Sequence, residues 1–125
     1  MVTLPTIEKI SDDLNSIFKD LHMHPELGFE EFRTSKIVKE KLQEYGVDEL
    51  HTEIGKTGIV AIINGNEEGS KQVGVRADMD ALPIQETTNL NYASKTPGKM
   101  HACGHDGHTT MLLGAAKHLC ETRNF

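Results

Sequence analysis

The sequence predicts a single-domain α/β fold, because amphipathic helical segments, short β-branched runs and one ligand-rich loop follow one another along the chain. Its 125 residues suffice for one hydrophobic core and are too few for two. The net charge of -6 disfavours a nucleic-acid partner, and no apolar run approaches the ~20 residues that a membrane span requires. Since the N-terminus also lacks the apolar region of a secretion signal, we expect a cytoplasmic protein with neither a nucleic-acid nor a membrane partner.

Two amphipathic helices are predicted in the first 45 residues. Apolar side chains recur at steps of three and four through residues 5–21, and Pro25 should end this helix by His24. The second helix is predicted from residue 29 or 30 to residue 45, with Gly46 placed to end it in a left-handed conformation. Each helix has one apolar face, so both must pack on another layer.

That layer is predicted to be a mixed sheet that begins as an antiparallel meander. Residues 48–54, 58–63 and 73–77 are the strand candidates, and the turn-forming connections between them fit hairpins. A long irregular segment over residues 78–100 follows, and loops of this length inside compact domains tend to be functional. A last helix, over residues 108–119, is apolar nearly all round, which predicts burial.

Potential metal ligands are densest between Met100 and His108. Three of the seven histidines, one cysteine and one aspartate lie in this run, and thiolate, imidazole and carboxylate groups bind zinc and related ions. Cys103 and His105 are two residues apart, so they can reach one ion only from a non-helical backbone. The alternative is a solvated polar loop that leads into the last helix.

Three motifs occur in order along the chain: His-Pro-Glu-Leu-Gly-Phe-Glu-Glu at 24–31, Arg-Ala-Asp-Met-Asp-Ala-Leu-Pro at 76–83, and Met-His-Ala-Cys-Gly-His-Asp-Gly-His at 100–108. Together the motifs resemble the amidohydrolase branch of the M20 metallopeptidase family, which includes hippurate hydrolases, N-acetyldiaminopimelate deacetylases and plant auxin-conjugate hydrolases. The resemblance covers almost the whole chain. It implies the N-terminal portion of a zinc-peptidase-like (phosphorylase/hydrolase-like) catalytic domain.

The resemblance also implies a site with two divalent ions, for which zinc, manganese, cobalt or nickel would serve. It makes Cys103 and His105 metal ligands and Asp78 a catalytic aspartate that fixes a ligand or the metal-bound water. Such ions polarise an amide carbonyl and lower the pKa of bound water. For Asp78 the alternative is a turn or cap at the end of a strand.

The other polar residues of the three motifs are expected to lie near the site without binding metal directly. His108 should begin the last helix, Asp106 is as plausible a helix cap as a metal neighbour, and Asp80 should lie beside the site. His22 and His24 resemble parts of a structural corner. His101 is likewise not expected to be a primary ligand.

The implied activity is hydrolysis of N-acyl amino acids such as hippurate. In the family, the remaining ligands, the general base and a smaller dimerisation domain lie in sequence beyond position 125. Residues 1–125 are therefore expected to be an incomplete catalytic domain, inactive alone. A homodimer in the full-length family, or a complementing C-terminal chain, is the expected partner. Two alternatives are a non-catalytic truncated or split-partner module and a structural zinc domain.

Overall fold

The computed structural model describes residues 4–125 and confirms the α/β fold. Its helices and strands are α1 (Pro5–Met23), α2 (Phe32–Tyr45), β1 (Glu49–Ile54), β2 (Gly58–Ile62) and α3 (His105–Thr122). Within the described part of the chain, no helix is both long and apolar enough to cross a membrane.

The helix ends follow the local sequence, with two differences from prediction. Gly46 ends α2 with φ of 80°, as expected. The start of α2 is later than predicted, because Phe29 has φ of 64° and interrupts the helical backbone. The start of α3 is three residues earlier than predicted, directly after Gly104, whose φ is 80°.

The core lies where α3 packs against both α1 and α2. Seven buried side chains form it: Ile17, Leu21, Val38, Leu42, Tyr45, Leu113 and Ala116. At Gly114 the helices approach closely, since a Cβ there would lie 2.9 Å from Leu14 Cδ1. The predicted burial of α3 on all sides is wrong, because the side chain of Met111 is 65% exposed on its outer face.

The sheet in residues 4–125 consists of the antiparallel pair β1–β2, which confirms the first hairpin. The predicted third strand at residues 73–77 is wrong: Val73 and Val75 are 89% and 69% exposed, and the segment joins no ladder. An extended segment becomes a strand only when a neighbour supplies backbone hydrogen bonds, and here the described residues supply none.

Two contacts fasten the irregular segments to the helical core. Arg123, after the end of α3, donates to Asp48 Oδ2 at 2.7 Å, Asn64 O at 2.9 Å and Gly46 O at 3.0 Å. The second contact is the pairing of Leu82 with Met100 through backbone hydrogen bonds of 2.9 and 3.0 Å. The irregular segment between Leu82 and Met100 therefore ends beside its own beginning, at the start of the ligand-rich loop.

Candidate metal centre

The first turn of α3 presents two imidazoles on one side. His105 is the first residue of the helix and His108 follows at the i+3 position, so the two side chains are neighbours on the helix surface. Their rings stack with centroids 5.5 Å apart. This arrangement depends on the early helix start, because an irregular backbone at residues 105–107 would not align them.

Asp78 completes a three-residue cluster with these imidazoles. One ligand atom from each of Asp78, His105 and His108 lies within 4.8 Å of the others. His108 Nδ1 donates to Asp78 Oδ1 at 3.0 Å, whereas His105 Nε2 lies 3.7 Å from that oxygen, too far for a hydrogen bond. Ligand atoms bound to one zinc ion at about 2.1 Å lie roughly 3.4 Å apart, so this donor set fits a divalent ion.

The carboxylate of the cluster is ionised and anchored. The hydrogen bond from His108 lowers the pKa of the Asp78 carboxyl below its usual value, and the backbone of Asp78 contributes in the same direction. Arg76 Nη1 lies 3.3 Å from Asp78 Oδ2. Asp78 therefore offers negative charge to a cation over the ordinary pH range.

Asp80 orients the imidazole of His105. His105 Nδ1 lies 2.9 Å from both the backbone O and Oδ1 of Asp80. Donation from Nδ1 leaves Nε2 of the neutral ring with its lone pair free, which is the state that binds a metal. Asp80 thus holds His105 and Asp78 accepts from His108, while the catalytic role of Asp78 stays a prediction.

Of the two predicted metal ligands, one lies in the cluster and the other lies outside it. His105 is in the cluster, but Cys103 is an exposed free cysteine in the preceding turn and is not a member of it. His108, which was not expected to bind metal, is a member. The i, i+3 spacing of His105 and His108 was the sequence signal for this pair, and it carries that meaning only once α3 is known to start at residue 105.

An open cleft of about 430 Å³ adjoins the cluster. Asp78 and His108 lie on its wall beside the apolar side chains of Val75, Met111 and Ala115. The potential ligand atoms are therefore reachable from solvent, as a site that receives a small molecule requires.

The motif at residues 24–31 makes backbone contacts that hold the motif at residues 76–83 in place. Glu26 Oε1 accepts from the backbone N–H and the hydroxyl of Thr34, both at 2.7 Å, and so stabilises the start of α2. The backbone O of Glu26 accepts from Ala81 N–H at 2.7 Å, and Leu27 forms an isolated parallel bridge with Ala81. The corner at residues 24–31 thus fastens the segment that carries Asp78 and Asp80.

Asp106 and the histidines at positions 22, 24 and 101 are buried or partly buried. His22 lies between Asp106 and Glu86, and His24 Nδ1 donates to the backbone O of Asp20 at 2.8 Å. Asp106 is neither the helix cap nor a member of the metal-ligating cluster, because the N-cap residue is Gly104. His101 is 5% exposed, and neither ring nitrogen has a hydrogen-bond partner; burial lowers the pKa of its imidazole.

Comparison with protein families identifies related sequences. Residues 74–125 match the peptidase family M20/M25/M40. The chain is 52% identical to hippurate hydrolase of Campylobacter jejuni over 126 aligned positions, which cover all of this chain and 32% of that protein. It is 48% identical to N-acyl-L-amino acid amidohydrolase of Geobacillus stearothermophilus, covering 94% of this chain and 31% of that protein.

A solved structure agrees with these relatives. The Bacillus subtilis YxeP protein, a dinuclear metal-binding peptidase of the M20 family, superposes with a TM-score of 0.84 at 45% identity. The match covers 91% of this chain and 32% of that protein. The chain therefore spans about a third of the length of the relatives that it matches.

Proposed function

Because the chain belongs to the M20 peptidase family, we propose that it forms the metal-binding part of an amidohydrolase that cleaves the amide bond of N-acyl amino acids. Two relatives, a hippurate hydrolase and an N-acyl-L-amino acid amidohydrolase, support this substrate class. The observation that carries the proposal is the convergence of Asp78, His105 and His108 beside an open cleft whose wall includes Asp78 and His108.

Two divalent ions are proposed for the complete site, since a related structure is a dinuclear metal-binding peptidase. Cys103 and His105 are the proposed ligands within the third motif, and the geometry adds His108 as a further candidate. Zinc, manganese, cobalt or nickel suits such a set, and the thiolate favours the softer ions. When bound, the ions would polarise the amide carbonyl and acidify a water molecule.

The residues of this chain then have distinct tasks. Asp80 holds the ring of His105 with Nε2 free, and Asp78 accepts from His108 while supplying negative charge to the cluster. The apolar wall formed by Val75, Met111 and Ala115 could exclude water from one side of a bound acyl group. These tasks are to orient, to balance charge and to shape the cleft.

A metal-binding experiment tests the proposal directly. Titration of the purified chain with Zn²⁺ or Mn²⁺ in a calorimeter should give saturable binding, and His105→Ala should weaken it at least about tenfold. His51→Ala is the matched control, because the side chain of His51 is exposed on β1 and its imidazole pairs with Glu49. Equal binding by wild type and His105→Ala would contradict the site.

The isolated chain is proposed to hydrolyse little or no substrate, because the cluster in residues 4–125 offers fewer ligands than two ions require. Release of glycine from hippurate with added Mn²⁺ or Zn²⁺ measures this. Turnover that Cys103→Ala abolishes would contradict it. A complementing C-terminal chain, or a homodimer of the full-length protein, is the proposed context for activity, and the cytoplasmic location stays a prediction.

A structural zinc domain is the weaker alternative. Structural zinc sites are closed by four protein ligands, and they are shielded from solvent. Here His108 is 47% exposed, and the cluster has three members within the described residues. The open geometry therefore favours a site that admits a small molecule.

A further inference from the structure

His22 lies between two carboxylates in the interior of the protein. Its Nδ1 is 2.7 Å from Asp106 Oδ2, and its Nε2 is 3.1 Å from Glu86 Oε1. The three side chains are 8%, 3% and 2% exposed respectively. Nothing in the proposed chemistry uses this buried triad, so its polar contacts require a separate explanation.

The hydrogen bonds determine the charge of the triad. Glu86 Oε2 accepts from the Ser94 backbone N–H at 2.6 Å, and Asp106 Oδ1 accepts from the Gly107 N–H at 2.9 Å. An ionised carboxylate only accepts hydrogen bonds, so with both carboxylates ionised each ring nitrogen of His22 carries a proton and donates. Burial lowers the pKa of His22, but the bonds from Asp106 and Glu86 outweigh it and raise the pKa above 6.5.

The triad joins three segments that are distant in sequence. His22 belongs to the last turn of α1, Glu86 to the irregular segment, and Asp106 to the first turn of α3. The ring of Tyr92 stands edge-on to that of His22 at 5.5 Å and closes the triad from the side of the irregular segment. A single cation thus holds these segments in register.

Asp106 lies between His105 and His108 on the same helical turn. The N-cap residue Gly104 makes no side-chain cap, and the buried contacts of Asp106 help to fix this turn, together with the hydrogen bonds from Thr110 Oγ1 to Asp106 O and from Thr109 Oγ1 to Asp78 O, both at 2.8 Å. If Asp106 lost its cationic partner, the turn could rotate, and His105 and His108 would move relative to Asp78.

We propose that His22 is a positioning residue: as an imidazolium between Asp106 and Glu86, it fixes the first turn of α3 and thereby the spacing of His105 and His108 from Asp78. This inference rests on the proposed function for its consequence in metal binding. Its structural content, a doubly protonated ring that holds the first turn, stands in the metal-free protein.

The test compares His22→Gln with His51→Gln in the full chain. His51 is the control because its side chain is 54% exposed on β1, where its imidazole pairs with Glu49. A glutamine side chain cannot donate to Asp106 and Glu86 at once from the two positions of the ring nitrogens. We expect the affinity for Zn²⁺ alone, measured by calorimetry, to fall about 10- to 100-fold in His22→Gln and to change less than twofold in His51→Gln.

Nuclear magnetic resonance supplies readouts that need no metal. The wild-type His22 ring should show two protonated ¹⁵N nuclei at pH 6, and His22→Gln should speed hydrogen exchange at the Gly107 and Ser94 amides. A wild type that binds no Zn²⁺ contradicts the proposed function, and the exchange data then decide the positioning role alone. One unprotonated ring nitrogen, or unchanged exchange at both amides, overturns the inference. If His22→Gln does not fold, Glu86→Gln replaces it. We expect Glu86→Gln to lower the Zn²⁺ affinity and to speed the exchange of the same two amides, by less than His22→Gln.

Discussion

Two histidine–carboxylate clusters flank the first turn of α3, and they differ in burial and in completeness. In the triad of His22, Glu86 and Asp106, the side chains are 2–8% exposed and both nitrogens of His22 are hydrogen-bonded. In the cluster of Asp78, His105 and His108, the side chains are 15–47% exposed, and His105 Nε2 is 3.7 Å from its nearest carboxylate oxygen. The same residue types thus form a closed structural cluster and an open one that can accept an ion.

The difference shows that a structural cluster and a candidate metal-binding cluster are distinguished by burial and by unpaired ligand atoms rather than by residue type. A buried charge must be fully paired, because an unpaired one costs several kcal/mol (about 3–5). An exposed cluster can leave a lone pair facing solvent at little cost, since water compensates it. The two clusters should therefore respond oppositely to substitution.

The largest effect on stability is expected from Glu86→Ala. It removes the acceptor for His22, for the Ser94 amide and for the Thr88 hydroxyl, and it leaves a cation buried beside one carboxylate. We expect a loss of about 3–5 kcal/mol in the free energy of unfolding, measured by urea denaturation. Glu40→Ala, on the exposed face of α2, should change it by less than about 0.5 kcal/mol. Equal midpoints for the two variants would refute the comparison.

Asp78→Ala should give the opposite pattern. The affinity for Zn²⁺ should fall at least about tenfold, because the cluster loses its only carboxylate, while the urea midpoint of the metal-free protein should stay close to that of wild type. Asp12→Ala on α1 is the control and should alter neither quantity. A large loss of stability without loss of metal affinity would show that Asp78 belongs with the structural cluster.

Glu26→Ala tests the corner that supports the open cluster. The substitution leaves the Arg33 and Thr34 amides at the start of α2 without their acceptor, so we expect a loss of about 1 kcal/mol. Thermal unfolding monitored by circular dichroism measures it. Glu44→Ala near the other end of α2 serves for comparison, and an equal loss there would remove the special role of Glu26.

The smallest effect is a dependence of stability on pH. The folded-state pKa of His22 is raised above 6.5 because the bonds to Asp106 and Glu86 outweigh desolvation. Its contribution is therefore fully present below pH 6.5 and is lost as pH rises through the raised value. The difference in melting temperature between wild type and His22→Gln should shrink from pH 6 to pH 9. A constant difference would mean that folding does not shift the pKa of His22, and a difference that grows with pH would mean that the folded protein holds the ring neutral.

Local sequence patterns predicted what local forces decide. Periodicity located α1 and α2, turn residues located the β1–β2 hairpin, and Gly46 marked the end of α2. The third strand failed because pairing depends on a neighbour rather than on the β-propensity of residues 73–77. Its composition was suited to a strand, but no ladder is present in the described chain.

The cluster of Asp78, His105 and His108 shares Asp78 and His105 with the residues predicted from the motifs, and the metal ligands themselves stay a prediction. The start of α3, three residues earlier than predicted, places His108 beside His105. The sequence left Asp106 as either a helix cap or a metal neighbour, and its actual partner His22 was not foreseen because it is 84 residues away in sequence. Partners that are distant in sequence decide which polar side chains are fully hydrogen-bonded, and a single sequence does not reveal those partners.

Arg123 has a consequence for the order of folding. Its three acceptors lie 59 to 77 residues earlier in the chain, in the turns before and after the hairpin strands. Because loop closure of this length gains little until the rest of the core has formed, we expect these bonds to appear after α3 has packed. The hairpin would then form early and become fastened late, so its turns should exchange amide protons faster than the helices in a refolding experiment.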